Sequence, residues 1–154
     1  MSYMFVALRV AAILGVGATY GANAFFALVG RRALERSAEE SMTEVMGRLH
    51  ETADVRMPVV VAAGLIATAG VAVVAGPGAG RRLGLAAMTA QAGFLGLYTT
   101  LSAPINKRLT AAAREGQTPD DARALQRRWD RVNLARVALL AIALGCLAAA
   151  EPDR

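Results

Sequence analysis

Apolar side chains gather into four long runs, at about 4–29, 58–76, 83–104 and 133–150, and the charged residues fall almost wholly between them. Each run is close to the ~20 residues with which an α-helix crosses a hydrocarbon core of about 30 Å. Backbone groups in lipid must be paired within a helix or around a closed barrel, and these runs are continuous rather than alternating, so they predict helices. The expected fold is all-α, a four-transmembrane-helix bundle forming a single membrane domain over residues 1–154. Between the second and third runs, "GPGAGRR" stops one helix and reverses the chain within a few residues, which makes those spans a tight antiparallel pair. "GATYG", with Gly17 and Gly21 at small-xxx-small spacing, predicts close helix packing in the first span. A signal peptide is the alternative for the first run, since "ANA" at 22–24 resembles a cleavage site. Against it stand a start charged only by Arg9 and the continuation of the run through "FFALVG".

The linkers 30–57 and 105–132 carry most of the charge and are expected to be helical too. "RRALERSAEESMTEVMGRLHETADVR" is rich in helix formers, has no proline, and places Glu44 and Arg48 four apart for an ion pair. In "QTPDDARALQRRW", Thr118 is the expected N-cap and Pro119 the first helical residue, with Asp120 and Asp121 at the positive helix end and the helix running on into the fourth span. The net charge of +5 invites a nucleic-acid reading, but the cations concentrate in these two linkers, against Arg81, Arg82 and Arg154 on the other side. The positive-inside rule therefore explains the charge, places both long linkers in the cytoplasm and the termini outside, and removes nucleic acid as a partner. A bacterial-type plasma membrane is the expected location, the lipid bilayer the first partner, and an oligomer is compatible with the chain. The one cysteine, Cys146, excludes an intrachain disulfide, paired-cysteine exchange with a quinone, and a cysteine-based metal cluster; it reads as a small buried apolar residue.

Antiparallel spans bring both long linkers to one face, and the polar residues concentrate there. Asn23 ends the first span, His50 and Asp54 precede the second, Asn106 closes the third, and Trp129, Asn133 and Arg136 open the fourth. Residues 129, 133 and 136 share one helical stripe, as do His50, Asp54 and Pro58. An uncompensated Arg or Asn facing lipid costs a few kcal/mol, so Asn133 and Arg136 should face the bundle interior. Gln91, Tyr98, Thr99, Thr100 and Ser102 give the third span a polar lining. Each residue also has a structural reading: snorkelling for Arg136, an interfacial anchor for Trp129, hydrogen-bonding glue for Asn23 and Asn106, a solvated surface for His50 and Asp54. Their convergence on one membrane face favours a shared cavity.

"PINKRL", then "RRWDRVNLAR" entering the last span, with "RLHETADVRMP" leading into the second, resembles the anthrone-oxygenase-like family of small four-helix membrane proteins. The family's motif residues fall on His50, Met57, Pro58, Asn106, Trp129, Asn133 and Arg136, with Asn23 matching an asparagine near the end of the first span. The resemblance implies oxidation of an anthrone, an apolar aromatic small molecule, by O2, with no cofactor and no metal. In that reading His50 is the base, while Arg136, Asn106 and Asn133 stabilise the substrate oxyanion. Trp129 stacks on the rings, and Asn23, Asp54, Gln91 and Tyr98 complete the binding surface.

Two other classes compete. A proton-coupled transporter needs an intramembrane carboxylate, and all 12 acidic residues lie outside the four runs. A bis-histidine haem protein needs a second histidine, whereas His50 is alone. A non-catalytic membrane subunit remains as the alternative. For the orientation, cysteines introduced at Ser37 and Gln117 are expected to react with impermeant thiol reagents from the cytoplasmic side only; labelling from outside would overturn it.

Overall fold

A computed structural model describes residues 3–152, which are all-helical with no strand among them. Helix α1 (Tyr3–Phe25) runs through a π-helical turn (Phe26–Gly30) into α2 (Arg31–Arg36), and "ANA" lies inside this continuous, packed helix. Ser37 is extended and ends it, with α3 (Glu39–Val74) following. Helix α4 (Ala79–Leu97) passes through a second π-helical turn (Tyr98–Ser102) into α5 (Ala103–Glu115), and α6 (Ala122–Ala149) completes the chain. Gly76 and Gly116 take positive φ, 83° and 64°, where the chain leaves α3 and α5. At Gly116 this lets Gln117 N–H reach back to the Ala112 carbonyl at 2.9 Å, a Schellman closure that any Cβ would strain.

Packing sets a ring in chain order: α1 lies against α3 and α6, and α4 against the same two helices. Three helices are long and apolar enough to cross a membrane, Tyr3–Arg36, Glu39–Val74 and Ala122–Ala149. The fourth member of the ring, α4, falls short of that measure because Arg81, Arg82, Thr89 and Gln91 dilute it. Helix α3 has 36 residues, about 54 Å at 1.5 Å per residue. Its charged first half therefore projects beyond the apolar segment that begins near Pro58. Leu34, Met42, Met46, Leu109, Leu125 and Trp129 form the core of this projecting part, and Phe5, Val71, Phe94, Leu140 and Leu147 anchor the core between the spans. Cys146 is half-buried against that second core. Leu14, Leu28, Ile66, Val73 and Ile142 point outward, as a lipid-facing surface requires.

Helix α3 packs very closely against its neighbours. A Cβ on Gly15 would lie 2.7 Å from the Gly64 Cα, and a Cβ on Gly84 would lie 2.9 Å from the Ala72 Cα, so α3 touches both neighbours backbone to backbone. Packing in lipid relies on such close approach because lipid tails are as apolar as the helices. Gly17 and Gly21 have nothing within 4 Å of an added Cβ, which corrects the packing role read from "GATYG": the contact face lies at Gly15, on the same helix but a different stripe.

Three helices are also irregular. Pro58 sits inside α3, where its missing N–H leaves the Asp54 carbonyl without its helical partner. Pro104 does the same after α4, and the π-helical turn absorbs it, Ala103 N–H bonding to the Tyr98 carbonyl. In the turn after α1, Arg31 N–H bonds to the Phe26 carbonyl, and Gly30 leaves room for the Phe26 ring, 2.7 Å from where a Cβ would stand. The run 83–104 is thus two helices and a π turn rather than one regular span.

Two further expectations are corrected. Helix α6 starts at Ala122, not Pro119; Ala122 N–H bonds to the Pro119 carbonyl at 2.9 Å, so "TPDD" forms a turn. Arg48 pairs with Glu51 at 3.4 Å rather than Glu44, and Glu51 also anchors Arg114 of α5 at 2.8 Å. Gly15→Ala is expected to destabilise the protein by about 1–3 kcal/mol in detergent thermal unfolding, the usual cost of overpacking. Gly17→Ala and Gly21→Ala should leave the Tm unchanged or raise it; equal losses at all three positions would overturn the assigned contact face.

Candidate functional site

Where the helices are irregular they enclose a cavity of about 380 Å³. Helix α1 contributes Thr19, Ala22 and Asn23, its π turn Phe26, and α3 one long wall from Leu49 to Leu65. Phe94, Leu95, Tyr98 and Thr99 form the facing wall, and Asn106, Trp129 and Arg136 complete it. Most of the lining is apolar, with the polar atoms of His50, Asp54, Tyr98, Asn106 and Arg136 offering a few directed contacts, the usual composition of a small-molecule site. The stripe of His50, Asp54 and Pro58 turns inward as their spacing requires.

Arg136 is 7% exposed and makes no ion pair among the described residues. One of its terminal nitrogens donates to Ser102 Oγ at 3.1 Å, and its guanidinium lies 5.0 Å from the Phe94 ring centroid and 5.5 Å from that of Tyr98. Its Nε has no partner. A cation held by two ring faces and one hydroxyl is stabilised but not neutralised, and it has donor capacity left for an anionic oxygen.

Asp54 accepts hydrogen bonds from Tyr98 OH at 2.8 Å and from Asn106 Nδ2 at 3.1 and 3.2 Å. Asn106 Oδ1 in turn accepts from Trp129 Nε1 at 3.1 Å. The indole packs edge-on against Phe26, centroids 5.5 Å apart, and 5.4 Å from the His50 ring. His50 is buried, and its Nε2 has no hydrogen-bond partner. It stands eight residues before Pro58, outside the apolar segment. Burial lowers its pKa from 6.5 to about 4; Asp54 opposes the shift and the Arg136 guanidinium adds to it. The imidazole is therefore neutral near pH 7 and able to accept a proton.

Not every expected residue reaches this cavity. Asn133, 1% exposed, donates through Nδ2 to the Asn23 carbonyl at 2.9 Å and lies behind the wall, tying α6 to α1. Gln91 donates to Thr68 Oγ1 at 2.9 Å and belongs to a smaller neighbouring cavity. Asn23 lines the main cavity, but its amide donates to the Thr19 carbonyl at 2.7 Å. Tyr98, Asp54, Asn106, Trp129, His50 and Arg136 do converge. Phe26 and Phe94 were missed by the polar reading; Phe94 stands four residues before Tyr98 on the same face, and that spacing would have found it. Among the described residues no three His, Cys, Asp or Glu side chains are grouped to hold a metal ion.

No curated protein and no solved structure matches the chain. A protein-family model described as anthrone oxygenase does match, over residues 46–146, well over half of the sequence. That range contains His50, Asp54, Tyr98, Asn106, Trp129 and Arg136, so the cavity's polar end lies within the matched region while α1 lies outside it. With its helical bundle and this match together, the chain belongs to the anthrone oxygenase family.

Proposed function

We propose that the protein oxidises a reduced polycyclic aromatic ketone of the anthrone type to the quinone with O2, in the cavity beside Arg136. The observation that carries this reading is a buried guanidinium with no salt-bridge partner among the described residues, facing a mostly apolar, aromatic-walled space that an uncharged planar substrate fits. The neutral ketone enters from the bilayer, and loss of a proton from its doubly activated CH₂ creates an anion beside Arg136. His50 accepts that proton. Although a neutral imidazole with its conjugate acid near pH 4 is a weak base, the substrate anion beside it strengthens it, and Arg136 stabilises the developing oxyanion. The electron-rich anion passes an electron to O2, and recombination of the radicals gives a C–OOH. Loss of water then leaves the second carbonyl, so that R₂CH₂ and O2 become R₂C=O and H₂O. Trp129 supports the planar rings by stacking. Asn106 has both ends of its amide engaged and serves the wall rather than the oxyanion, and Asn133 fixes α6 against α1.

We place the protein as one domain in a bacterial-type plasma membrane, with the projecting helices in the cytoplasm. His50→Ala is expected to lower anthrone-dependent O2 consumption by about 10²–10⁴-fold. Arg136→Met should lower it by about 10²–10³-fold. Both effects are to be read in purified protein that retains its helical content. If both variants kept wild-type rates the assignment would fail, and a wild type inert towards any reduced aromatic ketone would favour a non-catalytic subunit. The acid limb of kcat/KM is expected near pH 4, since free His50 stays unprotonated down to that range. A limb near 6.5, the value for an exposed imidazole, would exclude His50 in its buried setting as the base.

A further inference from the structure

We propose that Asp54 is a positioning residue for Trp129, acting through the amide of Asn106. The three side chains come from three helices, α3, α5 and α6, and form one continuous path: carboxylate to amide N–H₂ at 3.1 and 3.2 Å, amide oxygen to indole N–H at 3.1 Å. Asn106 is 2% exposed, and both ends of its amide are engaged. Turning the amide over would set its N–H₂ against the indole N–H and its oxygen against the carboxylate, two repulsive contacts at a buried amide. The carboxylate can only accept, so it dictates which end of the amide faces Trp129, and the amide oxygen then dictates where the indole N–H points. Apolar contact with Phe26 sets how close the indole lies but does not define its rotation, whereas a directed N–H bond does. The same carboxylate holds Tyr98 OH at 2.8 Å, so one group is bonded towards two aromatic side chains of the cavity lining. Nothing in this assignment depends on the proposed reaction.

Trp129 is the only tryptophan in the chain, which makes its own spectrum the readout. In the ligand-free protein in detergent, Asp54→Ala is expected to abolish the near-ultraviolet dichroism of the indole and to raise its quenching by acrylamide, with far-ultraviolet helicity retained. Asp54→Asn keeps an acceptor oxygen for Asn106 and should stay close to wild type in both signals. Asn106→Leu should reproduce the Asp54→Ala spectrum, and the double variant should add nothing further, as members of one path do. An intact indole band in Asp54→Ala, or additive losses in the double variant, would overturn the proposal. So would an Asp54→Asn spectrum as altered as that of Asp54→Ala, because charge rather than hydrogen-bond geometry would then be at work. Should Asp54→Ala fail to fold, Asp54→Asn and Asn106→Leu still decide the matter.

Discussion

In lipid no water is present to complete a broken backbone hydrogen bond, so a helix bundle opens a cavity only where each irregularity is satisfied internally or faces a polar space. Everything at this site depends on that constraint. The π-helical turns at Phe26–Gly30 and Tyr98–Ser102 redirect two helices while keeping their N–H groups bonded, five residues back instead of four. Pro58 frees the carbonyl of Asp54, and it does so at the cavity, where polar groups already gather. The backbone contacts of Gly15 with Gly64 and of Gly84 with Ala72 hold the spans together.

The polar groups admitted by this opening are used sparingly. Asp54 and Arg136, the two charged residues that line the cavity, are not joined by a salt bridge. Asp54 is occupied by Tyr98 and Asn106, and Arg136 rests on ring faces and Ser102. Keeping them apart costs stability, since a buried guanidinium opposite a carboxylate would be better compensated. The separation leaves Arg136 as a fixed positive group in a mostly apolar cleft, and under the proposed reaction such a group is a preorganised field for the negative charge of the substrate. It also leaves Asp54 free to arrange the aromatic side chains instead of neutralising the arginine.

The chain's own pattern of apolar runs and charges determined the helical class, the position of the turn at "GPGAGRR", and the gathering of polar residues at one end, because length and periodicity in lipid admit few alternatives. The inward stripes of His50–Asp54–Pro58 and Trp129–Asn133–Arg136 were legible for the same reason: helical spacing fixes which residues share a face. What spacing leaves open is rotation and depth between helices, and only the tertiary structure decided those. It put Gly15 rather than Gly17 against α3, and it broke the third run into a π turn where Pro104 cannot donate. It placed Asn133 and Gln91 behind the cavity wall, each bonded to a neighbouring helix, though their sequence positions look as suited to the site as those of Asn106 and Tyr98. And it joined Asp54, Asn106 and Trp129, up to 75 residues apart in the sequence, because a hydrogen-bonded path between three helices is set by how they pack and has no periodicity to reveal it.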